Sequence, residues 1–289
     1  MVLGGLFSVG RHAINSVVSD SAIILDSIEK WFPPTLGGWR AYLQPFTPPT
    51  SPALRGISLQ VKEGEAVALL GANGAGKTTL LRILATLLLP TRGRASLAGH
   101  SVTDDPAAVR RQIGYHAGSD LGFYSRLTGR QNLLFFGRLH HLSDDLLGRR
   151  IAELAERLGL QKSLDRQART LSSGTMQRLS LLRALLHQPK VLLLDEPTRS
   201  LDAIAAAEFR HFLKSEVLAG RGTSLLFASH TMQEIELLAN RVAIIEDGKL
   251  LACDSPVALR AGAVTTTLEA AFAKITGRHL DSSAGPGAP

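Results

Sequence analysis

The run Gly71-Ala72-Asn73-Gly74-Ala75-Gly76-Lys77-Thr78-Thr79 combines glycines that let backbone N–H groups turn inward, a lysine, and adjacent hydroxyls. It follows an apolar segment ending at Leu70 and opens another, Leu80-Leu81-Arg82-Ile83-Leu84-Ala85, so strand, loop and helix are expected in that order. Such a loop points its amides at phosphate oxygens, and the helix behind it adds the positive end of its dipole. The residues expected to hold a nucleoside triphosphate are therefore Gly71, Asn73, Gly74, Ala75, Gly76, Lys77, Thr78 and Thr79. Lys77 supplies a full charge to the β- and γ-phosphates, Thr78 a hydroxyl to Mg2+, and Thr79 a hydroxyl to the α-phosphate. Kinases, GTPases and motor ATPases all remain open at this point.

A second element narrows the reading. Val191-Leu192-Leu193-Leu194 is an apolar run of strand length that ends in Asp195 and Glu196, with Pro197 stopping it. A buried parallel strand carrying carboxylates at its carboxyl end delivers them beside the phosphate loop. Asp195 then belongs to the magnesium shell, and Glu196 orients and deprotonates the attacking water. Between the two motifs, Leu171-Ser172-Ser173-Gly174-Thr175-Met176-Gln177-Arg178-Leu179 puts small hydroxyl and glycine residues at the start of an amphipathic helix. That makes a second place for an anion, although in isolation the same residues read as an ordinary helix cap.

To position these residues, the chain alternates short apolar runs with amphipathic segments, the pattern of an α/β sheet covered by helices. Strands are expected at Ala22–Asp26, Ile57–Val61, Ala66–Leu70, Ile113–His116, Val191–Asp195, Ser224–Ser229, Val242–Glu246 and Leu250–Cys253. Helices are expected at Lys77–Leu88, Thr128–His141, Asp145–Leu158, Ser173–His187, Ala203–Leu218, Met232–Asn240 and Thr267–Thr276. Asp247-Gly248 reads as a two-residue hairpin turn. The stretch 33–52 holds six of the thirteen prolines and reads as a loop or insertion, and 279–289 as a disordered tail. Residues 1–21 read as a leader, either unpacked or with a short membrane-surface helix over Leu6–Val18.

Composition excludes several classes. With 45% hydrophobic and 20% charged residues over 289 positions, the chain is not intrinsically disordered. Cys253, the lone cysteine, excludes an internal disulfide framework and an all-cysteine zinc site. No apolar run approaches the roughly 20 residues that a bilayer requires. The net charge of +7 suits an anionic partner, but the basic residues are spread along the chain.

The order of phosphate loop, Leu-Ser-x-Gly element, apolar-Asp-Glu-Pro-Thr, Ser200-Leu201-Asp202 and Ser229-His230 resembles the nucleotide-binding subunit of an ATP-binding cassette (ABC) transporter. The resemblance covers roughly Ala22 to Gly277, within an ABC ATPase domain expected at 22–278. It implies an α/β fold with a P-loop NTPase (RecA-like) core, an N-terminal antiparallel β subdomain, and an α-helical subdomain inserted at about 118–172. ATP and Mg2+ are the implied cofactors, and ATP hydrolysis coupled to transmembrane transport the implied activity. The implied partners are a second copy, arranged head to tail with ATP sandwiched between, and a separate multi-spanning permease. The chain would then sit peripherally on the cytoplasmic face of the cell membrane.

Residue by residue, the resemblance places Ser172 and Gly174 on the γ-phosphate held by the other copy, with Ser173 in the same element. Asp202 would couple the two sites, and His230 would contact the γ-phosphate, joining Glu196 and Lys77 as the catalytic set. Phe32 would stack on adenine, with Trp31 as the fallback. The chain departs from the family at Ser173 and Thr175, which replace a glycine and a glutamine. It also has Gly118-Ser119-Asp120 where the family has a glutamine loop. The ending Thr267–Arg278 resembles daunorubicin-resistance cassettes, whereas the insertion after Phe32 resembles polysaccharide-exporting ones, so the cargo stays unassigned.

Two alternatives are kept. A soluble mechanochemical ATPase acting on DNA or ribosomes gains from the positive charge. Against it, this sequence shows neither the second cassette of translation-type proteins nor the long coiled coil that repair-type proteins insert between phosphate loop and signature, where only about ninety residues lie here. A non-hydrolysing ATP-binding module draws on the two departures, but Lys77, Glu196 and His230 are all retained.

Overall fold

The computed structural model describes residues 20–33, 51–118, 122–219 and 222–278. The expected tail, nearly all of the expected leader, most of the proline-rich stretch, and Ser119 and Asp120 lie outside the described residues.

An antiparallel sheet runs in the order β2 (Ser51–Lys62), β1 (Ser21–Phe32), β4 (Arg92–Leu97), β5 (His100–Ser101). A second sheet has the order β10 (Lys249–Asp254), β9 (Arg241–Glu246), β3 (Ala66–Leu70), β8 (Ser224–Ala228), β7 (Val191–Asp195), β6 (Ile113–His116). Its strands are parallel from β9 to β6, and β10 returns antiparallel through the Asp247-Gly248 turn. Both turn residues have positive φ, 47° and 74°, as a hairpin of this length requires. The α/β class expected from the motifs is the class the chain adopts.

The unbroken apolar runs of β3 and β7 follow from burial on both faces. Ala66, Ala68 and Leu70 of β3, with Leu192 and Leu194 of β7, face a core shared with α4 (Asp144–Arg157), α5 (Ser173–Leu185) and α6 (Ala203–Phe212). Val67, Leu69, Val191 and Leu193 point the other way, into a core closed by β1, β2 and α1 (Lys77–Leu84). Alternate residues of one strand thus fasten the antiparallel sheet and the helical layer to opposite sides of the same sheet.

Several expected boundaries shift. β1 runs on to Phe32, and β2 starts at Ser51, inside the expected insertion, because the two strands pair up to Trp31↔Pro52 and Phe32↔Ser51. β4 went unexpected because its first three residues face solvent and leave little apolar signal. The unexpected helices α2 (Pro106–Gln112) and α8 (Pro256–Gly262) are each capped from outside, by Asp105 on Ala108 N–H and by Ser255 on Ala258 N–H. The expected helix Lys77–Leu88 stops at Leu84, with Thr86 already at φ 60°. The expected helix Ala203–Leu218 is α only to Phe212 and continues as π turns over Leu213–Leu218. Between β6 and α5, α3 (Gly129–Leu139) begins in a capping box, with Thr128 and Gln131 exchanging side chain-to-backbone hydrogen bonds.

Candidate phosphate-binding site

The carboxyl ends of β3, β7 and β8 open onto one cavity of about 650 Å3. It is bounded by loop residues Gly71 to Gly74 and Gly76 to Thr79, by Glu196 and His230, and by Met232, Phe272, Arg199 and Arg278. Ligands in open α/β sheets bind at this edge because loops and helix N-termini converge there.

Packing holds the loop in shape. A Cβ on Gly71 would lie 2.2 Å from the Ile245 carbonyl oxygen, so only glycine lets the loop leave β3 this close to β9. Gly76, the N-cap of α1, has φ 104° and offers no side-chain cap, which leaves the first amides of the helix to a ligand. Ala75 is buried against the core, and its carbonyl accepts from Gly248 N–H (3.1 Å) while Arg55 N–H donates to Gly248 O (2.8 Å). The β9–β10 hairpin therefore clips the phosphate loop to β2.

Lys77 is buried, and its Nζ donates to the carbonyls of Gly71 (2.7 Å) and Ala72 (3.0 Å). Burial pushes its pKa down, opposed by the nearby carboxylates of Glu196, Asp195 and Glu246. An ammonium with little water and only carbonyl partners gains from a phosphate. The Thr78 hydroxyl donates to Asp195 Oδ1 (3.1 Å), and burial raises the Asp195 pKa despite that bond. A buried carboxylate beside a hydroxyl is a hard oxygen donor set that fits Mg2+, an ion that completes its shell with phosphate oxygens and water. Among the described residues no cluster of three His, Cys, Asp or Glu offers an all-protein metal cage.

Glu196 leaves β7 with φ 48°, a strained position for a residue bearing a side chain. The backbone is held there by Glu196 N–H donating to Ala228 O (3.0 Å). The His230 Nδ1–H donates to Glu196 Oε2 (2.6 Å), so strand ends β7 and β8 bring an acceptor for a proton and its orienting partner to one wall of the cavity. Thr79 lines the cavity as well.

The remaining predicted residues lie elsewhere. Ser172 caps α5, its Oγ accepting from Thr175 N–H (3.3 Å) and sharing a hydrogen bond with Thr175 Oγ1 (2.9 Å). Ser173 Oγ donates to Ser200 O (3.4 Å), and Asp202 caps α6 through Ala205 N–H (2.8 Å). None of Ser172, Ser173, Gly174 and Asp202 bounds the cavity. Phe32, at the end of β1, is 37% exposed beneath the Lys30 ammonium, and neither it nor Trp31 lines the cavity. Sequence reasoning passed over Arg199, Met232, Phe272 and Arg278, which no local motif marks as cavity residues. It also passed over Gln177, whose Nε2 donates to Gly118 O (2.8 Å), joining α5 to the loop after β6.

The family model described as ABC transporter matches residues 54–199. The chain is 38% identical over 199 residues to the ABC transporter ATP-binding protein NatA of Bacillus subtilis, covering 69% of this chain and 80% of that protein. It is 42% identical over 200 residues to the daunorubicin resistance ATP-binding protein DrrA3 of Streptomyces coeruleorubidus, covering 69% of this chain and 62% of that one. Among solved structures, the ATP-binding subunit of an ABC transporter superposes with a TM-score of 0.74 at 23% identity, covering 88% of this chain and 99% of its own. A dimeric ATP-binding cassette bound to ADP and Pi superposes with a TM-score of 0.70 at 24% identity, over 81% of this chain and 98% of its own, a likeness of fold.

Proposed function

Because the chain belongs to the ABC transporter family, whose cassettes are ATPases, we propose that it is the ATP-hydrolysing subunit of an exporter with a separate membrane-spanning permease. The observation that carries this reading is the convergence in one cavity of the phosphate loop and the Glu196–His230 pair, with Asp195 hydrogen-bonded to the lining residue Thr78.

The loop amides and Lys77 bind the triphosphate, with Lys77 leaving its loop carbonyls for the β- and γ-phosphates. Thr78 and Asp195 are the residues that would hold Mg2+, which when bound would supply positive charge to the phosphate oxygens. Glu196 accepts the proton of the attacking water, and the His230 hydrogen bond holds its carboxylate in place. Ser172, Ser173 and Gly174 of a second copy close over the γ-phosphate, and Asp202 links the two sites. ATP thereby favours the closed pair through contacts that exist only in that state.

No helix among the described residues is long and apolar enough to cross a membrane. The permease contact falls on α3, where Phe135 and Leu139 are exposed and Tyr124 meets the Phe135 ring edge-on at 5.0 Å. The chain then lies on the cytoplasmic face of the membrane, and co-purification with a multi-spanning protein tests that placement. For the chemistry, Glu196→Gln is expected to keep ATP binding within about threefold and to lower phosphate release at least about a hundredfold. A variant that hydrolyses ATP at the wild-type rate shows that Glu196 is not the base.

A further inference from the structure

The C-terminal helix α9 (Leu268–Thr276) reaches the phosphate cavity through a contact that the mechanism above does not use. Gly277 ends the helix with φ 71°, and Arg278 N–H then donates to Ala273 O (2.8 Å), which turns the Arg278 side chain back toward the site. There its Nε donates to Glu246 Oε1 (3.1 Å), with Nη2 on the same oxygen, while the side chain lines the cavity. Glu246 sits at the carboxyl end of β9, next to the strand that feeds the phosphate loop. Its carboxylate is only 17% exposed, and its Oε2 is buried with no hydrogen-bond partner among the described residues. Glu246 is also one of the three carboxylates whose charge acts on Lys77. A largely buried negative charge close enough to act on the lysine of a triphosphate site opposes the ligand unless it is cancelled.

We propose that Arg278 is a positioning residue of the nucleotide site, which cancels the Glu246 charge and thereby ties nucleotide affinity to the docking of the C-terminal helix. This rests on the reading of the cavity as an ATP site. Arg278 lies beyond the last helical residue and is half exposed, so its loss spares the buried Leu268, Ala271 and Ala273 that anchor α9.

The test is titration of the full chain with a fluorescent ATP analogue, alongside steady-state ATPase kinetics. Arg278→Gln is expected to weaken binding about tenfold and to raise KM in step, with kcat within about twofold, and the loss should shrink at high salt. The double variant Arg278→Gln/Glu246→Gln is expected to return within about twofold of wild type, because no charge is left to cancel. Glu246→Gln alone should bind at least as tightly as wild type. Unchanged affinity in Arg278→Gln, a double variant as weak as Arg278→Gln, or weakened binding in Glu246→Gln would each overturn the proposal while leaving the ATPase reading intact. A wild-type chain that does not bind the analogue overturns both.

Discussion

Two helix N-termini among the described residues, Gly76-Lys77-Thr78 at α1 and Ser172-Ser173-Gly174 at α5, are finished in opposite ways. At α1 the cap is a glycine in a left-handed conformation, with no side chain on the helix amides and a buried lysine close by. At α5 the cap is a serine already bonded to Thr175, on an exposed stretch that bounds no part of the cavity. A helix N-terminus left open and backed by a cation holds an anion by itself. One satisfied by its own serine needs a ligand brought to it. On the proposed reading, the first site binds nucleotide within one chain and the second acts only when another copy presents its phosphate.

Two substitutions break that comparison most sharply. Gly71→Ala forces a Cβ to within 2.2 Å of the Ile245 carbonyl, so the loop must move, and ATP affinity is expected to fall about a hundredfold or more by calorimetric titration. Ser172→Ala should leave that affinity within about twofold, while phosphate release falls about tenfold at protein concentrations that favour pairing. If Ser172→Ala weakens binding to the isolated chain as much as Gly71→Ala does, the two termini are not functionally distinct.

A smaller effect tests the region that joins the two sites. His116 lies at the end of β6, fully buried, two residues before Gly118, which accepts from Gln177 on α5. Burial, with help from Arg183, lowers its pKa to about 4, and burial lowers that of His187 to about 4 as well. The unfolded chain takes up these protons near pH 6.5, so stability is full above that value and is lost as pH falls toward 4. These two histidines are each expected to contribute about 2 kcal/mol to the difference between denaturant melts at pH 7 and pH 5, and His116→Leu should remove its own share. Identical pH sensitivity in wild type and variant contradicts this assignment.

Legibility in the sequence followed burial and local chemistry. The phosphate loop and the Asp195-Glu196 strand end were readable because runs buried on both faces leave apolar stretches, and glycines or acids punctuate them. β4 was not, since half of it faces solvent, and neither was β5, which spans two residues. The Asp105-Pro106 and Ser255-Pro256 pairs were start signals for α2 and α8 that went unused. Arg278 and Phe272 reach the cavity by tertiary return of the last helix, and no local spacing encodes that.

The claim that a second copy completes the site is tested most directly by the molar mass of Glu196→Gln in solution, measured by light scattering with and without ATP. The account predicts one chain, 30.9 kDa, without nucleotide and about twice that with ATP, and no doubling once Ser172→Ala is added. A single-chain mass at saturating ATP, or a doubling indifferent to Ser172, contradicts it.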